Sequence, residues 1–220
     1  MKKRTIAERV IFDLEDFMKK IIVSAFEPFG GSGRNSSLET MECLPDVCGG
    51  CDIVKITLPV VYGECGRILR EKIAEYEPGD IAAVICLGQA AGRGSITPEY
   101  VAVNVRHGAS ADNAGVKYEL TPIGGGADAY VTGLPVGAML ENMKEADVPA
   151  VVSFTAGTYV CNDLMYAAVE YCRPRGIPAG FVHLPLSLEI AEAEGKAGTI
   201  AALPQDVLTR GITAAIAAVV

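Results

Sequence analysis

The sequence predicts an α/β fold, a three-layer α/β/α sandwich around a mainly parallel twisted sheet. Three observations carry that expectation: short continuous apolar runs at Ile21 to Ala25, Ile81 to Leu87 and Val148 to Ser153, helical spacing between them, and turn residues closing each run. Strands that are apolar on both faces, separated by helices, belong in a sheet covered on both sides. Active sites in such sheets lie at the carboxyl ends of the strands.

Taken in order, Ile21 to Ala25 is a buried strand preceded by charge and followed by Pro28-Phe29-Gly30-Gly31. Ile53 to Val61 is a second strand, and Gly66 to Tyr76 a helix with Arg67, Arg70, Glu71 and Lys72 on its solvent side. Ile81 to Leu87 is a third strand, ended by Gly88. Tyr100 to Val105 alternates weakly, and Val148 to Ser153 is another short run. Tyr159 to Cys172 reads as a helix, Gly180 to His183 as a strand and Gln205 to Val220 as a terminal helix. Gly108 to Tyr130, with Gly124-Gly125-Gly126 inside it, reads as a long surface loop. Residues 18–220 form the expected single domain. Residues 1–17, with four basic and four acidic side chains, read as an appended extension ahead of Met18.

Composition narrows the function. A net charge of −8 supplies no basic face for phosphates, so nucleic acid is not an expected partner. The longest apolar stretches fall short of the roughly 20 residues a bilayer demands. The first twenty residues are charged throughout and lack the apolar core of a secretory leader, so seven cysteines are expected as free thiols in a reducing cytoplasm. With two histidines, an imidazole base is either His107 or His183, and a zinc site built on several histidines is excluded.

The segment Ser153 through Asn162 places Cys161 in the first turn of a helix, after a strand and a glycine turn. Unpaired amides and partial positive charge there favour thiolate over thiol and can hold an oxyanion. A small buried apolar cysteine is the alternative. His183 ends a strand 22 residues downstream and is expected on the strand beside that of Cys161. His107 sits among loop residues and is the weaker base. Glu99, past the turn Gly88 to Arg93, could orient an imidazole or be a surface carboxylate. Cys48-Gly49-Gly50-Cys51 could be a redox pair or half a zinc site, but no second pair completes a metal site and the motif precedes a strand rather than a helix. Loop thiols are the default.

In order along the chain, Ala25-Phe26-Glu27-Pro28-Phe29-Gly30-Gly31 with Asn35-Ser36-Ser37, Leu58 through Gly63, Gly88 through Arg93, Glu99 through Asn104, Thr155 through Asn162, and Phe181 through Pro185 resemble the pyroglutamyl peptidase I family of cysteine peptidases. The resemblance runs from Met18 to the C-terminus. It implies a triad of Cys161 as nucleophile, His183 as general base and Glu99 as orienting acid. It further implies a ring pocket lined by Phe26, Phe29, Gln89 and the backbone near Val160. No cofactor and no metal are implied; the implied partners are peptides beginning with pyroglutamate and further copies of the chain in a homotetramer.

Three positions depart from the family pattern. Ala25 replaces a glycine, and Tyr100 replaces an arginine after the acid. Gly108-Ala109-Ser110-Ala111-Asp112-Asn113 replaces the family's Asp-Ala-Arg-Ile-Pro-Asp-Asn, so an arginine thought to help the oxyanion is Ala109 here. Losing one oxyanion donor costs about 10²- to 10³-fold. Arg93 and Arg106 are the candidates to compensate. The alternative function is a relative that binds lactam-like or peptide ligands with little turnover.

Overall fold

A computed structural model of the chain describes residues 18–220, so the extension read over residues 1–17 lies outside the described residues. The strands in chain order are β1 (Lys20–Phe26), β2 (Val47–Cys48), β3 (Cys51–Leu58), β4 (Ile81–Gln89), β5 (Thr97–Pro98), β6 (Val101–Val103), β7 (Ala129–Val131), β8 (Ala179–Leu184), β9 (Leu186–Ser187) and β10 (Ala202–Leu203). The helices are α1 (Ser36–Cys43), α2 (Glu64–Ile73), α3 (Val136–Glu145), α4 (Val160–Cys172), α5 (Leu188–Ala193) and α6 (Gln205–Ala217). Six strands form the main sheet in the order β2-β3-β1-β4-β8-β5. The inner four run parallel, while β2 and β5 are antiparallel edges.

Alternation along the strands sorts side chains into two layers. Ile21, Val23, Ala83, Ile85, Leu87, Val182 and Leu184 pack with Met41, Met139, Met143, Leu208 and Ile212 of α1, α3 and α6. Ile22, Phe26, Val84, Cys86 and Phe181 pack on the opposite face with Cys65, Leu69 and Ile73 of α2 and Leu164 and Met165 of α4. Parity then places His183 with Phe181 and Gly88 with Cys86, on the face covered by α4.

Two predicted strands are absent from this sheet. Within Tyr100 to Val105 only β6 forms, and it pairs with β7 in a separate hairpin. Val148 to Ser153 is extended but joins its neighbour only through the isolated bridges Ile96↔Ala150 and Glu99↔Ser153. It runs along the outer edge, where Val151 is exposed, so an apolar run there is not a core strand. Consequently β5, not the cysteine's own segment, lies beside β8. Helices α1, α3 and α5 were not anticipated from the sequence. In α1 the buried side chains include Ser36, Ser37 and Thr40, which leave no apolar period to read.

Candidate active site

Helix α4 starts after Gly157, whose φ of 77° makes the turn that only glycine adopts without strain. Its first turn has no side-chain cap, so the amides there keep their hydrogen-bonding capacity. Two residues just past Cys161 anchor this helix end. Buried Asn162 accepts from Val103 N–H (2.9 Å) and donates to the carbonyls of Val103 (2.9 Å) and Val105 (3.1 Å). Asp163 accepts from Gly63 N–H (2.6 Å) and from Arg106 Nε (2.6 Å). Neither anchor was assigned a role from sequence; a polar pair directly after a first-turn cysteine is the signal that marks them.

On the sheet, Gly88 of β4 pairs in register with His183 of β8. A Cβ at Gly88 would lie 2.6 Å from Phe181 Cζ and 3.2 Å from Cys161 Sγ. Glycine is therefore required for the thiol and the Phe181 ring to rest against the strand beside the histidine. The Phe181 and His183 rings are 4.7 Å apart. The short β5 pairs Thr97 with His183 and carries the chain into Glu99, whose N–H donates to Phe181 O at 2.9 Å. That register brings Glu99 Oε1 to 2.7 Å from His183 Nδ1. Glu99 is 0% and His183 4% exposed, so the carboxylate is part of the interior and not of the surface.

Arg93, from the turn after β4, donates through Nη1 to the same Glu99 Oε1 at 2.6 Å and to Thr97 Oγ1. Burial alone would raise the Glu99 carboxyl, but His183, with Ser153 and Arg93, holds it below the ordinary value. Burial lowers His183, Glu99 raises it and Arg93 lowers it again, leaving the imidazole neutral by preference. Burial and then the Glu99 charge push the Cys161 thiol up to about 12, against a smaller opposing pull from Arg93. The resting pair is thus thiol and neutral imidazole. Desolvation thus opposes the thiolate that the helix terminus favours.

Phe26, Phe29, Asn35, Val60, Gln89, Tyr159, Val160 and Cys161 line one small pocket. Gln89 Oε1 accepts from Ser36 N–H (2.8 Å), which leaves its amide N–H groups as the donors free for a ligand. Beyond Phe29 and Tyr159 a cavity of about 460 Å³ opens, walled by His107, Gly108, Ala109, Ser110 and Ala111. Arg106 does not serve this wall: it is tied to Asp163, with Tyr62 and Tyr118 against its guanidinium. His107 is exposed and stands apart from Glu99 and its partners. Cys48 and Cys51 face each other across the β2–β3 turn, and burial raises both thiols, so neither is activated.

A helix-start thiol, an imidazole and a buried carboxylate at the carboxyl end of a parallel sheet define the class of the cysteine hydrolases. A family model described as pyroglutamyl peptidase matches residues 19–220. The chain is 39% identical over 206 residues to a pyrrolidone-carboxylate peptidase of Levilactobacillus brevis, covering 91% of this chain and 97% of the relative. It is 42% identical over 206 residues to one from Streptococcus pyogenes, with 91% and 92% covered. The crystal structure of pyroglutamyl peptidase I from Bacillus amyloliquefaciens matches with a TM-score of 0.82 at 35% identity, over 93% of this chain and 96% of that one. The chain belongs to the pyroglutamyl peptidase family.

Proposed function

We propose that this protein removes N-terminal pyroglutamate from peptides, with Cys161 as nucleophile, His183 as general base and acid, and Glu99 as orienting acid. The 2.7 Å His183–Glu99 contact beside the Gly88 cleft that holds Cys161 Sγ carries this reading. His183 Nε2 takes the thiol proton as sulfur attacks the acyl carbonyl of pyroglutamate. The tetrahedral adduct collapses to a thioester, and the imidazolium gives its proton to the leaving amine. Water, deprotonated by His183, then cleaves the thioester and releases free pyroglutamate. Glu99 stabilises the imidazolium in both halves.

The pocket chemistry supports a lactam. Its lining of Phe26, Phe29, Val60, Tyr159 and Val160, with Gln89 and Asn35, contains no charged side chain. A neutral ring packs there, whereas a free amino terminus would bring an ammonium with no carboxylate to meet it. The non-catalytic alternative is not supported, since the family model and the relatives, matched over most of the chain, are those of peptidases. Residues 18–220 form the working unit in this reading, in agreement with the extent of the family match.

The protein is also read as cytoplasmic and homo-oligomeric, a tetramer by family resemblance. Seven free cysteines fit a reducing compartment, and no helix among the described residues is long and apolar enough to cross a membrane. Exposed Val151 and Phe154 fit a contact between copies, which light scattering on the purified protein tests. For the reaction, the test is cleavage of a pyroglutamyl fluorogenic amide. Wild type is expected to release the fluorophore and Cys161→Ala to release none; turnover retained in Cys161→Ala overturns the assignment.

A further inference from the structure

Arg93 lies outside both pockets yet touches the triad. Its Nη1 and His183 Nδ1 share one oxygen, Glu99 Oε1, at 2.6 and 2.7 Å. The same Nη1 reaches Thr97 Oγ1, and Thr97 Oγ1 donates in turn to His183 O at 3.4 Å. Arg93 is delivered by the Ala90–Arg93 turn, closed by Arg93 N–H to Ala90 O at 3.2 Å. Its side chain is 29% exposed while Glu99 is fully enclosed, so the guanidinium covers the carboxylate from the solvent side. Neither Arg93 nor its partner Thr97 lines the ring pocket or the adjoining cavity.

We propose that Arg93 is a positioning residue of the reaction: it clamps Glu99 in the rotamer that meets His183 and supplies the positive charge that leaves the imidazole free as a base. The inference rests on the proposed function. A buried carboxylate beside a histidine, left to itself, stabilises the protonated ring and withholds the base at neutral pH. One positive charge on the same oxygen offsets that pull without displacing the Nδ1 contact. The groups facing the His183–Glu99 pair are Arg93, the Cys161 thiol from α4, and the hydroxyls of Thr97 and Ser153; Phe181 closes another side. Of these Arg93 is the one cation. Removing it moves the coupled titration of the pair upward, whichever of the two sites carries the proton.

The chain's two histidines make the test direct. Imidazole NMR titration of full-length Arg93→Met, with Arg93→Gln as a neutral variant that keeps donors, is compared with wild type. His183 is expected to titrate at higher pH in both variants. The acid limb of kcat/KM for a pyroglutamyl amide moves with it. Loss of an orienting partner lowers kcat about 10- to 100-fold, with KM little changed, and Arg93→Lys returns the acid limb toward wild type. An unmoved His183 titration, or a loss of kcat without movement of the acid limb, overturns the proposal. A wild type inactive on the pyroglutamyl amide would refute the functional reading instead, and the His183 titration still decides the role of Arg93.

Discussion

The two walls of the cleft are built differently. Behind the sheet side, Glu99, His183, Thr97 and Arg93 are buried or half-buried and cross-linked, and they come from β5 and the residue that follows it, from β8 and from the turn after β4. On the facing side, Ala109 to Ala111 are exposed around an open cavity, and the nearby cation Arg106 is engaged elsewhere. The difference shows where preorganisation resides. Acid–base chemistry depends on one proton path held within tenths of an ångström, and a sheet register supplies that. In the proposed mechanism, with no arginine at position 109, charge stabilisation falls to backbone amides at the start of α4, which has no side-chain cap.

Substitutions on the two walls are therefore expected to separate by orders of magnitude. The largest effect belongs to the proton path: Glu99→Gln and His183→Ala are each expected to lower kcat about 10²- to 10⁴-fold in the pyroglutamyl amide assay. A loss below tenfold in either would show that the buried pair is only structural. Next comes the spacing between the walls. Gly88→Ala inserts a Cβ against Phe181 Cζ and Cys161 Sγ, and a displacement of about 1 Å costs roughly 10² in rate. A crystal structure of this variant is expected to show the thiol displaced, and an unmoved thiol with full activity would break the account. The smallest effect is expected from Ala109→Arg. An arginine on that exposed loop is solvated, so its charge is screened and kcat is expected to change by less than about tenfold. A gain of 10² or more would place the missing oxyanion donor at position 109 and erase the contrast between the walls.

The acid side of the pH profile sharpens the same contrast. Burial, and Arg93 to a smaller extent, outweigh Glu99 and hold His183 below its ordinary value. The neutral base therefore persists below the pH at which a free imidazole becomes charged, and kcat/KM is expected to fall only under about pH 6.5, the value of an unperturbed histidine. An acid limb above that value would mean that Glu99 dominates the ring.

Much of this architecture was legible in the residues. Ile21 to Ala25, Ile81 to Leu87 and Tyr159 to Cys172 are unbroken signals because β1, β4 and α4 are enclosed by the core. Val148 to Ser153 carries the same signal at a sheet edge, where composition cannot distinguish a ladder from two bridges. Cys161 and His183 were visible from local context, as a first-turn cysteine and a strand-end histidine. The Glu99–His183 contact was not. It depends on a two-residue antiparallel pairing across 84 residues of sequence, and no local pattern encodes that register. The purpose of Gly88 was hidden for the same reason, since a glycine ending a strand reads as a turn until the thiol opposite it is known.

The central claim is that Cys161 carries the acyl group. Acid quenching during turnover of a pyroglutamyl ester, followed by digestion and mass spectrometry, tests it most directly. One pyroglutamyl group is expected on the peptide containing Cys161 and none on peptides containing the other six cysteines. Turnover with no acyl group on Cys161, or with the group on another residue, would contradict the account.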